Sequence, residues 1–258
     1  MENRSEHFAF VLFHPRTTGN IGAAARALKN MGFADLRIVA ARRPGGVAAL
    51  KMAVHGRDVL EAAKVYPDLK SALADCTITV GTTARAGLYR SAARPPREAI
   101  AELAALAPPN RIAFIFGPED FGLTNRELKL CQRLITIPTS PDYHSLNLAQ
   151  ALLIVAYELR LACDAQPAAQ LAAPVSLAAT VEIDTMFERM ARALVRIGFL
   201  PADNPDHIMF AIREIFGRTR LMVREVDIFN GIARQIEWYA RGGREVAAAK
   251  RRAGKRLR

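Results

Sequence analysis

The sequence predicts an α/β domain on a mainly parallel sheet with helices on both faces, followed by a small C-terminal helical region. Three observations predict it. Over the first 160 or so residues, short β-branched or aromatic runs alternate with helical patterns. The runs are short and rich in β-branched or aromatic residues, the composition of strands. Past residue 177 the strand signals stop and only helical periodicity remains.

Strands are expected at FAFVLF (8–13), LRIVA (36–40), TITVG (77–81), RIAFIFG (111–117) and LITIP (134–138). Helices are expected near 20–31, 56–64, 67–74, 96–106, 124–131 and 146–163. Asn20 reads as the N-cap of the first helix, because its side chain can accept from orphan N–H groups. Gly32 reads as that helix's stop, since glycine adopts the left-handed conformation at low cost. Residues 164–177, DAQPAAQLAAPVSL, carry two prolines among alanines without periodicity, the composition of a linker. The expected organisation is therefore a domain over 1–163, the linker, a helical domain over 178–240 and a basic tail over 241–258.

In the helical domain, apolar residues recur at helical spacing in three groups. These are Met186, Phe187, Met190, Leu194 and Ile197; then Ile208, Met209, Ile212, Ile215 and Phe216; then Val226, Phe229, Ile232, Ile236 and Tyr239. Three packed helices are the expectation, with the Met and Phe positions as core. The tail holds eight Lys or Arg against one Glu, so it carries most of the chain's net +11. It reads as a solvated polycation that strengthens RNA binding through counterion release.

The 258 residues are 51% hydrophobic, enough for a real core. A pI of about 10.1 favours a polyanionic partner. Nucleic acid is the better reading than a membrane surface, because no basic amphipathic helix or lipidation signal stands out. Cys76, Cys131 and Cys163 lie far apart and form no metal or disulfide pattern, which fits a reducing cytosol. The apolar run at the N-terminus is too short and wrongly flanked for a signal peptide, and no stretch reaches membrane-spanning length, so a cytoplasmic protein is expected.

Four polar clusters follow predicted strands, where open parallel sheets place their ligands. They are HPRTTGNIGAAARA with Asn20, Gly22 and Arg26; GTTAR, from Gly81 to Arg85; FGPEDFGLTNREL with Gly117, Glu119 and Gly122; and SLN, Ser145 to Asn147. Each alone is weak: Gly turns after strands are common, and Ser and Asn at a loop-to-helix join can be simple caps. No GxGxxG follows the first strand and no GxxxxGK[ST] occurs, which argues against a dinucleotide or P-loop site. No HExxH or carboxylate–histidine cluster suggests a metal. His14, His55, His144 and His207 are scattered and read as structural or surface residues, with His144 beside Ser145 the one exception worth testing.

Taken in order, NxGxxxR, GTTAR, FGxExxGL and an Ile-Pro followed seven residues later by SLN resemble the SpoU/TrmH class of SPOUT RNA 2′-O-methyltransferases. GNIGAAARALKNMGF and YHSLNLAQALLIVAYELR are most similar to the TrmJ-type tRNA enzymes within it, and the helical extension matches more loosely. The resemblance covers about residues 8–163. It implies a deep trefoil knot, which general topology rules would have voted against, together with S-adenosyl-L-methionine as cofactor and an obligate homodimer. Thr82, Thr83, Ala84, Gly117, Ile137, Ser145 and Leu146 are implied as the cofactor pocket. Arg26, Ser145 and Asn147 are implied as catalytic, with Asn20, Arg85 and Glu119 in substrate-binding or structural roles, and with no metal.

A guanidinium is a doubtful base because it is essentially always charged. Arg26 is accordingly read as binding the phosphate beside the target ribose and stabilising the developing alkoxide, with the proton passing to phosphate or water. The sequence departs from the family pattern at Thr139, where IPM would be usual, at Pro141, where Gly is frequent, and at His144, where a small residue is expected. The expected function is 2′-O-methylation of tRNA, at cytidine or uridine 32 of the anticodon loop, with no membrane or DNA partner. The alternatives are ribosomal RNA or another tRNA position, a noncatalytic RNA-binding assembly factor on the same scaffold and, more distantly, a small-molecule enzyme.

Overall fold

A computed structural model of the chain describes residues 4–40, 46–84, 93–165, 177–217 and 221–243. It divides into two compact units, Met1–Val181 and Glu182–Arg258. In the first unit, β1 (Phe8–Phe13), β2 (Asp35–Val39), β3 (Lys64–Tyr66), β4 (Ile78–Thr82), β5 (Ile112–Phe116) and β6 (Arg133–Ile135) form one sheet. The strand order is β3-β2-β1-β5-β4-β6, and every pairing is parallel.

The period of two along a strand assigns each residue a face. Phe8, Phe10 and Leu12 of β1, with Ile112, Phe114 and Phe116 of β5, enter one core under α1 (Thr18–Met31), α5 (Pro96–Leu106) and α7 (Leu148–Ala165). Ala9, Val11, Ala113 and Ile115 enter the second core with Leu69 and Leu73 of α4 (Leu69–Leu73) and Leu128 of α6 (Asn125–Leu128). Both faces are thus covered, which accounts for the unbroken apolar strands. Phe10 packs on Phe33 and Phe114 with ring centroids 5.3 and 5.7 Å away.

The remaining elements of this unit are α2 (Val47–Ala53) and α3 (Arg57–Ala62), joined by a short 3-10 turn at Val54–Gly56. Three expectations need correction. Strand β3 and helix α2 were not expected, and residues 64–66 close the sheet edge rather than ending a helix. Asn20 is not a cap: α1 begins at Thr18, Thr17 holds the N-cap position without a side-chain bond, and Asn20 is engaged elsewhere. The strand expected over 134–138 occupies only Arg133–Ile135, which leaves Ile137 and Pro138 to a loop. Gly32 does end α1, in the left-handed conformation at φ 78°. Residues 177–180 are tied to the first unit, where the Leu177 N–H donates to Asn110 Oδ1 at 3.0 Å and the Thr180 hydroxyl donates to the Cys76 carbonyl at 2.6 Å.

The second unit takes in α8 (Thr180–Arg196), apart from its first two residues, which belong to the first unit, together with α9 (Asp206–Gly217) and α10 (Val223–Ala240). Phe187, Phe216 and Phe229, one from each helix, meet edge-on at 5.7 and 4.7 Å. Arg213 lies over the Phe187 ring and bonds Asp184 at 2.7 Å. Of the expected linker and tail, residues 166–176 and 244–258 fall outside the described residues. Among the described residues no helix is long and apolar enough to cross a membrane.

At the amino ends of the strands Arg37, only 1% exposed, is held by Asp35 at 2.8 Å and Asp75 at 2.6 Å, and Arg111 reaches the same Asp35. Burial pushes the Asp35 carboxyl up, but the hydrogen bonds from Arg37 and Arg111 outweigh it and leave its pKa below the ordinary value. Arg37→Ala leaves the largely buried Asp35 carboxylate to Arg111 alone and is expected to cost about 3 kcal/mol in urea unfolding at neutral pH. Because the folded pKa is depressed, this stabilisation is present above about pH 4 and lost as pH falls through the folded value. The gap between wild type and variant therefore narrows in acid.

Candidate active site

Three loops at the carboxyl ends of β4, β5 and β6 converge, each by a local device. After β4, the Thr82 hydroxyl donates to the Ile115 carbonyl and the Thr83 N–H to the Ile135 carbonyl, both at 2.9 Å, so this loop is pinned to strands on either side. After β5, the chain doubles back: the Gly122 N–H donates to the Pro118 carbonyl at 2.8 Å, and Gly122 has φ +69°. The fold-back is so close that a Cβ on Gly117 would lie 2.3 Å from the Leu123 nitrogen. After β6, an irregular segment runs from Thr136 to Asn147 before α7 begins.

These loops enclose a cavity of about 760 Å³. Thr82, Thr83, Ala84, Gly117, Glu119, Ile137, Ser145 and Leu146, all singled out in the sequence, lie in its wall. Arg26, Asn20 and Asn147 do not line it, and Arg85 lies outside the described residues. Asp120, Phe121 and His144 line the cavity too. Asp120 and Phe121 were not singled out in the sequence; both are exposed and partner Arg16, whose Nε bonds Asp120 at 3.1 Å and whose guanidinium sits 5.6 Å from the Phe121 ring centre. Opposite charges in the first and third motifs, HPR and PED, were the available signal.

Glu119 is the junction of a polar chain. It accepts from the backbone N–H groups of Arg16 (2.9 Å) and Thr17 (3.2 Å) and from Asn20 Nδ2 (2.6 Å). Asn20 in turn accepts from Asn147 Nδ2 at 3.0 Å, and Asn147 Oδ1 accepts from the Ala149 N–H at 2.9 Å. Asn147 is therefore the cap of α7 and a link to α1 at once. Burial raises the Glu119 pKa, but the Arg16 and Asn20 hydrogen bonds more than offset it and keep the carboxyl anionic below its ordinary range.

Arg26 is exposed on α1, without a hydrogen-bond or ion-pair partner among the described residues. Its backbone is closely fixed, because a Cβ on Gly56 would meet the Arg26 Cα at 2.7 Å and one on Gly22 would meet the Ala49 carbonyl oxygen at 2.0 Å. Two glycines thus let α2 and the following turn press against α1 around this arginine. Among the described residues no group of three His, Cys, Asp or Glu is placed to hold a metal.

A parallel sheet with a loop-built cavity at its carboxyl edge, followed by a helical unit, matches a class of RNA methylases. The chain belongs to the SpoU rRNA Methylase family, whose model matches residues 7–157. Residues 181–251 match the tRNA methyltransferase TrmJ, C-terminal domain. The chain is 35% identical over 242 residues to the tRNA (cytidine/uridine/adenosine-2′-O-)-methyltransferase TrmJ of Pseudomonas aeruginosa, covering 90% of this chain and 94% of that protein. It is 33% identical over 243 residues to the tRNA (cytidine/uridine-2′-O-)-methyltransferase TrmJ of Klebsiella pneumoniae, covering 92% and 99%. The crystal structure of TrmJ from Z. mobilis ZM4 superposes with a TM-score of 0.75 at 30% identity, covering 89% of this chain and 98% of that one.

Gly117→Ala is expected to lower stability by about 2 kcal/mol, because its Cβ meets backbone that cannot swing aside. Gly19→Ala, whose Cβ would make ordinary contacts with the Met52 side chain at 3.7 Å and the Thr17 methyl at 3.9 Å, is expected to leave thermal unfolding unchanged or slightly raised. Equal losses in the two variants would contradict the account of the fold-back.

Proposed function

We propose that this protein is an S-adenosyl-L-methionine-dependent tRNA 2′-O-ribose methyltransferase acting on cytidine or uridine at nucleotide 32 of the anticodon loop. The observation that carries the reading is the cavity at the carboxyl ends of β4, β5 and β6, whose lining includes all the residues that the family resemblance implies for the cofactor pocket. The shared family and the printed activities of the TrmJ relatives support it. The net charge of +11 suits a polyanionic substrate in the cytoplasm.

The cavity fits the cofactor on its own terms. Its volume of about 760 Å³ is in the range of small-molecule sites, and the fold-back at Gly117 and Gly122 offers main chain where side chains would intrude. Thr82, Thr83 and Ala84 would hold the donor together with Gly117, Ile137, Ser145 and Leu146. When bound, S-adenosylmethionine supplies a strongly electrophilic methyl group.

A ribose hydroxyl is a poor nucleophile at neutral pH, so alignment is the protein's main contribution. Ser145, at the cavity wall, orients the ribose. Asn147 fixes the start of α7 and, through Asn20 and Glu119, the loop after β5. Arg26, a guanidinium without a partner among the described residues, binds the phosphate beside the target ribose and stabilises the developing negative charge.

The reading also includes a knotted path through the loops around the cavity and a homodimer. Leu153, Tyr157 and Leu161 lie one turn apart on α7 and are 39–48% exposed, an apolar stripe that a second copy would cover.

Incubation with labelled S-adenosylmethionine and unmodified tRNA is expected to place a 2′-O-methyl group on nucleotide 32. Arg26→Ala is expected to lower that rate by at least about 100-fold while leaving cofactor affinity unchanged. Label on ribosomal RNA alone, or undiminished transfer by Arg26→Ala, would contradict the reading.

A further inference from the structure

The arrangement above leaves open where the proton of the ribose hydroxyl goes. We propose that His144 is the group that accepts it, oriented by Thr139. This rests on the methyltransferase reading and deepens it.

Among the cavity-lining residues, the side chains able to gain or lose a proton are Glu119, Asp120 and His144. Glu119 already accepts from two backbone N–H groups and Asn20. Asp120 is paired with Arg16. The other ionisable groups near His144 are Glu119 and Asp120, which line the same cavity, and Asp142 on its own loop. His144 differs from both cavity acids: among the described residues its hydrogen-bond partner is Thr139 Oγ1, 3.4 Å from Nδ1. With Nδ1–H donating to that oxygen, the lone pair of Nε2 is left for a substrate proton.

The step balances. The ribose oxygen gains the methyl carbon as the donor's sulfur–carbon bond breaks, and the oxygen's proton passes to Nε2. The sulfur becomes a neutral thioether, so the positive charge it gives up reappears on the imidazolium, which solvent later discharges.

The test compares wild type, His144→Ser, Thr139→Val and Thr139→Ser in single-turnover methyl transfer to tRNA across about pH 6–9, spanning the range where imidazoles ordinarily titrate. The wild-type rate is expected to rise with pH through the imidazole range and then level off. His144→Ser is expected to lose that limb and about 100-fold in plateau rate, while its affinity for S-adenosylhomocysteine by calorimetry stays at the wild-type value. Thr139→Val is expected to keep the limb at a several-fold lower rate, with Thr139→Ser restoring it.

A readout independent of turnover is the His144 imidazole resonance, assigned by its loss in His144→Ser. It is expected to shift when S-adenosylhomocysteine is added. A resonance that S-adenosylhomocysteine leaves in place, a variant that keeps the limb, or one that loses ligand affinity along with rate overturns the role of His144. A wild type that transfers no methyl group to tRNA overturns the function itself, and is told apart because no pH profile then exists to compare.

Discussion

The cavity depends on one backbone approach, the fold-back of residues 118–122 onto Gly117. Main chain lies so near that any side chain at 117 would have to displace it. The positive φ of Gly122 completes the turn at a conformation that L-residues with a Cβ rarely adopt. With this turn in place, Glu119 reaches the N–H groups that precede α1, and the site's walls are fixed relative to two helices.

From that turn the polar chain through Asn20 and Asn147 ties together segments more than 90 residues apart in sequence. Its energetics differ from those of the Arg37 cluster at the opposite ends of the strands. There a nearly inaccessible guanidinium is matched by carboxylates and acts on stability. Around the cavity the charges lie near solvent, where a single ion pair contributes little to folding. What they supply is fixed loop positions, through the bonds from Glu119 and Asp120 to the segment before α1.

Most of this fold was legible in the sequence because buried parallel strands leave unmistakable apolar runs; Pro96–Leu106 coincides with its expected helix. The misses have local causes. Strand β3 has three residues at a sheet edge, beginning with the exposed Lys64, so no alternating run marks it. Helix α2 follows a Pro-Gly-Gly stretch that reads as loop. Asn20 has the chemistry of a cap, and only the tertiary position of Glu119, 99 residues away, reveals its use. The cavity residues were reached through motif order and family resemblance, whereas Arg16, Asp120 and Phe121 became visible as a group only in three dimensions.

Everything in the proposed function turns on whether the three loops at one end of the sheet hold the methyl donor. Amide hydrogen exchange with and without S-adenosylhomocysteine addresses it most directly, because it reads every loop separately and needs no RNA. The account predicts slowed exchange concentrated at Thr82–Ala84, Gly117–Leu123 and Thr136–Leu146. Protection that falls elsewhere, or none at saturating ligand, would contradict it.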